Sequence, residues 1–81
     1  MVEIRPRAVE VMPLKNYELQ LIFSNGECRF FDMNPYLNHP AFKALQNIEL
    51  FKSVKISGLS IAWANGADIC PDELYYNSMK K

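Results

Sequence analysis

Tyr17-Glu18-Leu19-Gln20-Leu21-Ile22-Phe23-Ser24-Asn25-Gly26-Glu27-Cys28-Arg29-Phe30-Phe31-Asp32 sets two apolar, alternating runs around an Asn-Gly step. That pattern is the strongest short-range signal for a β-hairpin, because Asn and Gly tolerate the positive φ of a tight type I′ turn. With Asn25 and Gly26 as the two loop residues, Phe23 falls opposite Cys28, Leu21 opposite Phe30 and Leu19 opposite Asp32. Leu19, Leu21, Phe23, Cys28 and Phe30 then share the face expected to meet the core. Glu18, Gln20, Ile22, Arg29 and Phe31 fall on the other, mostly polar face.

Upstream, Ala8-Val9-Glu10-Val11-Met12 alternates with period two between Pro6 and Pro13, the pattern of an edge strand. Downstream, Asn34-Pro35 and His39-Pro40 each put Pro at a first helical position with a capping residue before it. Phe42, Leu45, Ile48 and Phe51 recur at helical spacing, which predicts a short helix over 40–46 and a turn over 48–52. Val54-Lys55-Ile56 and Leu59 to Trp63 read as strands, and Ala64-Asn65-Gly66-Ala67 as a second Asn-Gly turn. Pro71, Asp72 and Glu73 open a C-terminal helix whose dipole they complement, and Lys80 and Lys81 are placed to do so at its other end. The order β-β-β-α-β-β-α predicts a single α+β domain over 1–81, two-layered, with a mainly antiparallel sheet and short helices on one face. The aromatic-x-Asn-Gly step occurs twice, at Phe23 and Trp63, and hairpin chemistry accounts for both copies without an internal repeat.

Composition bounds the functions available. Of 81 residues, 49% are hydrophobic and 22% charged, with five Phe, four Tyr and one Trp, which is globular and not disordered. Nine basic residues balance nine acidic ones. Zero net charge argues against binding nucleic acid through phosphate neutralisation. No apolar run approaches the length of a membrane span, and Met1-Val2-Glu3-Ile4-Arg5-Pro6 has no signal-peptide character, so a cytoplasmic protein with no membrane partner is expected. Two cysteines make no disulfide framework and show no metal spacing. A core this small leaves little stability to spare, so association with a second chain would help it.

Several segments together resemble the bacterial family catalogued as domain of unknown function 2442. They are Tyr17 to Phe23 with Asn25-Gly26-Glu27, Phe31-Asp32, Pro40 and Phe42 through Leu50-Phe51, Ile61-Ala62-Trp63-Ala64-Asn65-Gly66-Ala67-Asp68-Ile69, and Pro71-Asp72-Glu73-Leu74-Tyr75. The likeness runs from about Arg7 to Tyr75. The sequence departs from the family in Ala64, where Pro is common, and Cys70, where Asp is common. The resemblance implies a small α+β domain. Some relatives continue into a helix-turn-helix domain, and stand-alone members are often encoded beside a second small protein, as in toxin–antitoxin pairs. It implies no catalytic residue, cofactor or binding residue to carry over.

Candidate chemical groups are few. His39, the only histidine, precedes Pro40 and reads as a cap or surface residue. Cys28 reads as a small core hydrophobe, and Cys70 as a helix-start residue whose thiol lacks a base. Asp68 reads as a turn residue and Asp72 and Glu73 as first-turn helix residues, an arrangement short of the ligands a hard cation needs. No glycine-rich phosphate loop is present. The expectation is therefore a non-enzymatic module without cofactor or metal that binds a protein partner or itself, regulatory and antitoxin-like. A nucleic-acid-associated regulator is the alternative, and a small enzyme a more distant one. Ile22, Phe31, Trp63, Tyr75 and Tyr76 are the aromatic and apolar residues expected to form the partner surface.

Overall fold

The structure, a computed structural model, describes residues 6–80; expectations for Met1 to Arg5 and for Lys81 lie outside them. Strand β1 (Ala8–Pro13) pairs antiparallel with β2 (Glu18–Phe23), β2 with β3 (Cys28–Asp32), and β3 with the short C-terminal β7 (Met79–Lys80). A second antiparallel sheet holds β4 (Lys55–Ser57), β5 (Ser60–Ala62) and β6 (Asp68–Ile69) in that order. The helices are short: α1 (Ile48–Phe51), α2 (Pro71–Tyr76) and 3-10 turns at Lys15–Tyr17, Asn34–Tyr36 and Lys43–Gln46. This is the expected α+β class with antiparallel pairing, and β1 is an edge strand as its flanking prolines imply. The strands divide between two sheets, and the helix expected over 40–46 contracts to a single 3-10 turn.

The register of the central hairpin differs from expectation by one residue. Ile22 faces Cys28, Leu21 faces Arg29 and Leu19 faces Phe31. The loop has three residues rather than two. The Gly26 N–H donates to the Phe23 carbonyl at 2.8 Å, and the Phe23 N–H to the Glu27 carbonyl at 2.9 Å. Only Gly26 takes the left-handed region, at φ +88°, so this is a type I turn closed by a glycine bulge. Asn25 acts through its side chain, whose Oδ1 accepts the Glu27 N–H at 3.0 Å. The second Asn-Gly step repeats this geometry: Gly66 has φ +91°, its N–H meets the Trp63 carbonyl at 3.0 Å, and Trp63 N–H meets the Ala67 carbonyl at 2.9 Å.

One added residue turns β3 over. Phe31 and Met33 point into the core, while Cys28 is exposed and Phe30 half-buried on the opposite face. Two residues expected on the surface are interior, Phe31 through this register and Trp63 through its place after β5 in the second sheet. Phe31 is 1% exposed and stacked on Tyr36; Trp63 is 2% exposed, its indole N–H donating to the Phe51 carbonyl at 3.0 Å. One core cluster joins Leu19, Leu21, Phe23 and Phe31 of the first sheet, and Met33 just past β3, to Phe51, Ile61, Trp63, Ile69 and Leu74.

Asn16 and Tyr17, between β1 and β2, both have φ +62°, a conformation costing about 1–3 kcal/mol per non-glycine residue. It is held by contacts on every side. The Tyr17 hydroxyl donates to the Gln46 carbonyl, its ring meets Phe51 edge-on at 5.1 Å, and Asn34 Nδ2 donates to the Asn16 carbonyl at 2.7 Å.

Candidate interaction surface

Alternation along the strands places Glu10, Met12, Glu18, Gln20, Ile22, Cys28, Phe30, Asp32 and Met79 on the outer face of the four-stranded sheet. Cross-strand rows follow from the register: Glu10–Ile22–Cys28, then Met12–Gln20–Phe30–Met79, then Glu18–Asp32. Gln20 Nε2 reaches Cys28 Sγ at 3.7 Å along a diagonal of this face. None of these residues is buried, and Ile22 and Phe30 are absent from the hydrophobic residues packed against the core. Met12 is 57% and Met79 69% exposed. Among the described residues, no helix or second sheet covers this face.

A groove of about 300 Å³ opens where β3 extends beyond the short β7, with Phe30, Met79, Pro35 and Tyr36 among its apolar walls and Glu18, Asp32 and Lys80 as its charged lining. Burial, with Glu73 beside it, raises the Tyr36 phenol above its ordinary pKa. Asp32 Oδ1 accepts from the Asn34 N–H at 2.9 Å and from Asn34 Nδ2 at 2.8 Å, which fixes one carboxylate of the rim.

The inner face carries a different device. Arg29 lies on the core side, its Cζ 4.2 Å from the centre of the Tyr75 ring. Its guanidinium donates to the Ser78 carbonyl at 3.1 Å, the Tyr75 carbonyl at 3.4 Å and Glu27 Oε2 at 3.2 Å. Glu27 also accepts from the Tyr75 hydroxyl at 2.6 Å and pairs with Lys80 Nζ at 2.7 Å. Lys80, Tyr75 and Asn25, in that order, hold this carboxyl well below the usual carboxylate range, and Arg29 adds to them. The cluster ties the end of α2 and β7 to the hairpin. Lys80 therefore belongs to a strand and an ion pair, not to the helix end where its charge was expected, because α2 stops at Tyr76.

The residues expected to form one partner surface separate. Ile22 is half-buried on the outer face; Tyr75 is half-buried against Phe23 and Arg29 on the inner one; Tyr76 is 64% exposed on α2. Phe31 and Trp63 are interior. The outer face displays Met12, Phe30 and Met79 instead: the one-residue register moves Phe30 there, and Met79 arrives on β7, a strand the sequence reading did not expect. The signal for that register was Met33: the phase that buries Phe31 buries Met33 too.

His39 is exposed, and its Nδ1 accepts the Ala41 N–H at 3.2 Å, a local capping contact. Cys28 and Cys70 are both free and exposed. Cys70 borders an open depression of about 380 Å³ whose lining includes Asp68 and Ser60 and no histidine. Among the described residues, no three His, Cys, Asp or Glu gather as a metal site, and no helix is long and apolar enough to cross a membrane.

The fold and this surface define a small antiparallel α+β domain in which, among the described residues, no helix or second sheet covers one sheet face. The chain belongs to the family described as protein of unknown function (DUF2442), which matches over residues 8–80. No curated protein and no solved structure matches it.

Proposed function

We propose that the protein is a small binding module that engages a protein partner through the outer face of its four-stranded sheet. The observation that carries this reading is the apolar content of the outer face, which no helix or second sheet covers among the described residues. Met12, Ile22, Phe30 and Met79 lie together on it, outside the core, in a molecule whose other large side chains are mostly packed. Contiguous apolar surface of this kind marks interaction sites, and Met and Phe are residue types that interfaces favour. Its activity is then binding, as in the regulatory, antitoxin-like half of a two-protein system.

A photo-crosslinking residue at Phe30 or Met12, expressed in the native host, tests the reading. Crosslinks to a distinct protein at these sites, and none from the same probe at exposed Lys52, are expected. Crosslinks to nucleic acid, or equal labelling at Lys52, would overturn it.

A further inference from the structure

Charge separates the occupants this face could accept. Its strand positions carry three carboxylates, Glu10, Glu18 and Asp32, and no Lys or Arg. Of the two basic strand residues at this edge, Arg29 is turned inward onto Glu27, and Lys80, which also lines the groove with its side chain 63% exposed, is paired with the same carboxylate at 2.7 Å. Glu18 and Asp32 stand directly opposite one another across β2 and β3. Like charges so placed repel, which favours positive charge brought to the rim over further negative charge. A second copy laid symmetrically on this face would bring carboxylates to carboxylates and deepen the repulsion. Nucleic acid would meet the same repulsion.

We infer that the outer face takes a basic, amphipathic segment of another protein, which sets an apolar side chain in the groove between Phe30, Met79 and Tyr36 and Lys or Arg against Glu18 and Asp32. This rests on the reading of the face as a partner-binding surface. Apolar contact supplies most of the affinity, and the carboxylates choose the partner and speed its approach.

The test is a titration of the isotope-labelled full chain, followed by amide resonances, with two synthetic helical peptides. Both carry one Leu-Phe face; the other face is Lys in one peptide and Glu in the other. The Lys peptide is expected to move amides in the three outer-face rows, and the Glu peptide to leave them in place. The double variant Glu10→Lys/Glu18→Lys, which spares the Asp32 turn contacts, is expected to weaken the Lys peptide by on the order of tenfold. Equal or stronger binding of the Glu peptide at this face, or Lys-peptide shifts centred instead on Asp68, Asp72 and Glu73, would overturn the inference and leave the face a binding surface. Concentration-dependent shifts of the same rows without peptide would assign the face to a second copy and overturn it likewise. If neither peptide moves these rows, the binding reading of the face falls as well.

Discussion

Gly26 and Gly66 occupy the left-handed region at the same place in two loops of the same design, and a Cβ at either would meet nothing within 4 Å. The cost of alanine there is therefore backbone strain alone. Gly26→Ala and Gly66→Ala are each expected to lower stability by about 1–2 kcal/mol, read from the shift in urea midpoint. Register is tested one residue apart. Phe31→Ala removes a core ring and is expected to cost about 3–5 kcal/mol, whereas Phe30→Ala should stay within about 1 kcal/mol of wild type. The reverse ranking would restore the two-residue loop. The hairpin's existence was legible from Asn-Gly between alternating runs, and its register was not. Either phase of β3 buries two apolar residues, and the observed phase also turns Arg29 inward, which a sequence reading penalises. Only the carbonyls of Tyr75 and Ser78, the Tyr75 ring and Glu27 make that burial tolerable.

At the scale of elements, β7 is two residues long and owes its place to the Glu27–Arg29–Tyr75–Lys80 cluster. Replacing Arg29 with Ala leaves two carbonyls at the end of α2 without their charged donor, and is expected to cost about 2 kcal/mol. Lys should restore little of it, having neither the planar fork nor the ring stacking. The cluster also gives stability a pH dependence of definite sign. Glu27 is held below its ordinary value of 4.5 in the folded chain, so its contribution is complete above that value and fades as pH falls through it. Between about pH 6 and pH 3 the wild-type urea midpoint should therefore drop more than that of Glu27→Gln. An equal drop would mean the carboxylate is not held as described. None of this was visible in sequence, because its four residues come from the hairpin, the last helix and the final strand. The helix and strand signals near them were legible, as Pro71 with Asp72 and Glu73 correctly opened α2.

At the scale of the molecule, one face of the four-stranded sheet meets the core, and among the described residues no helix or second sheet covers the other. The antiparallel α+β class followed from the run of hairpin and helix signals. The make-up of the outer face did not, since every outward position on β3 depends on the loop's extra residue. Residues selected for aromatic character alone scattered to the interior, the inner edge and α2. The outer face carries the account, and capture from host lysate treated with nuclease tests it most directly, comparing tagged wild type with the folded double variant Met12→Asp/Phe30→Asp. The account predicts that wild type retains a specific protein near one-to-one and that the variant loses it. Equal retention by both, retention that disappears with nuclease, or no retained protein at all would contradict it.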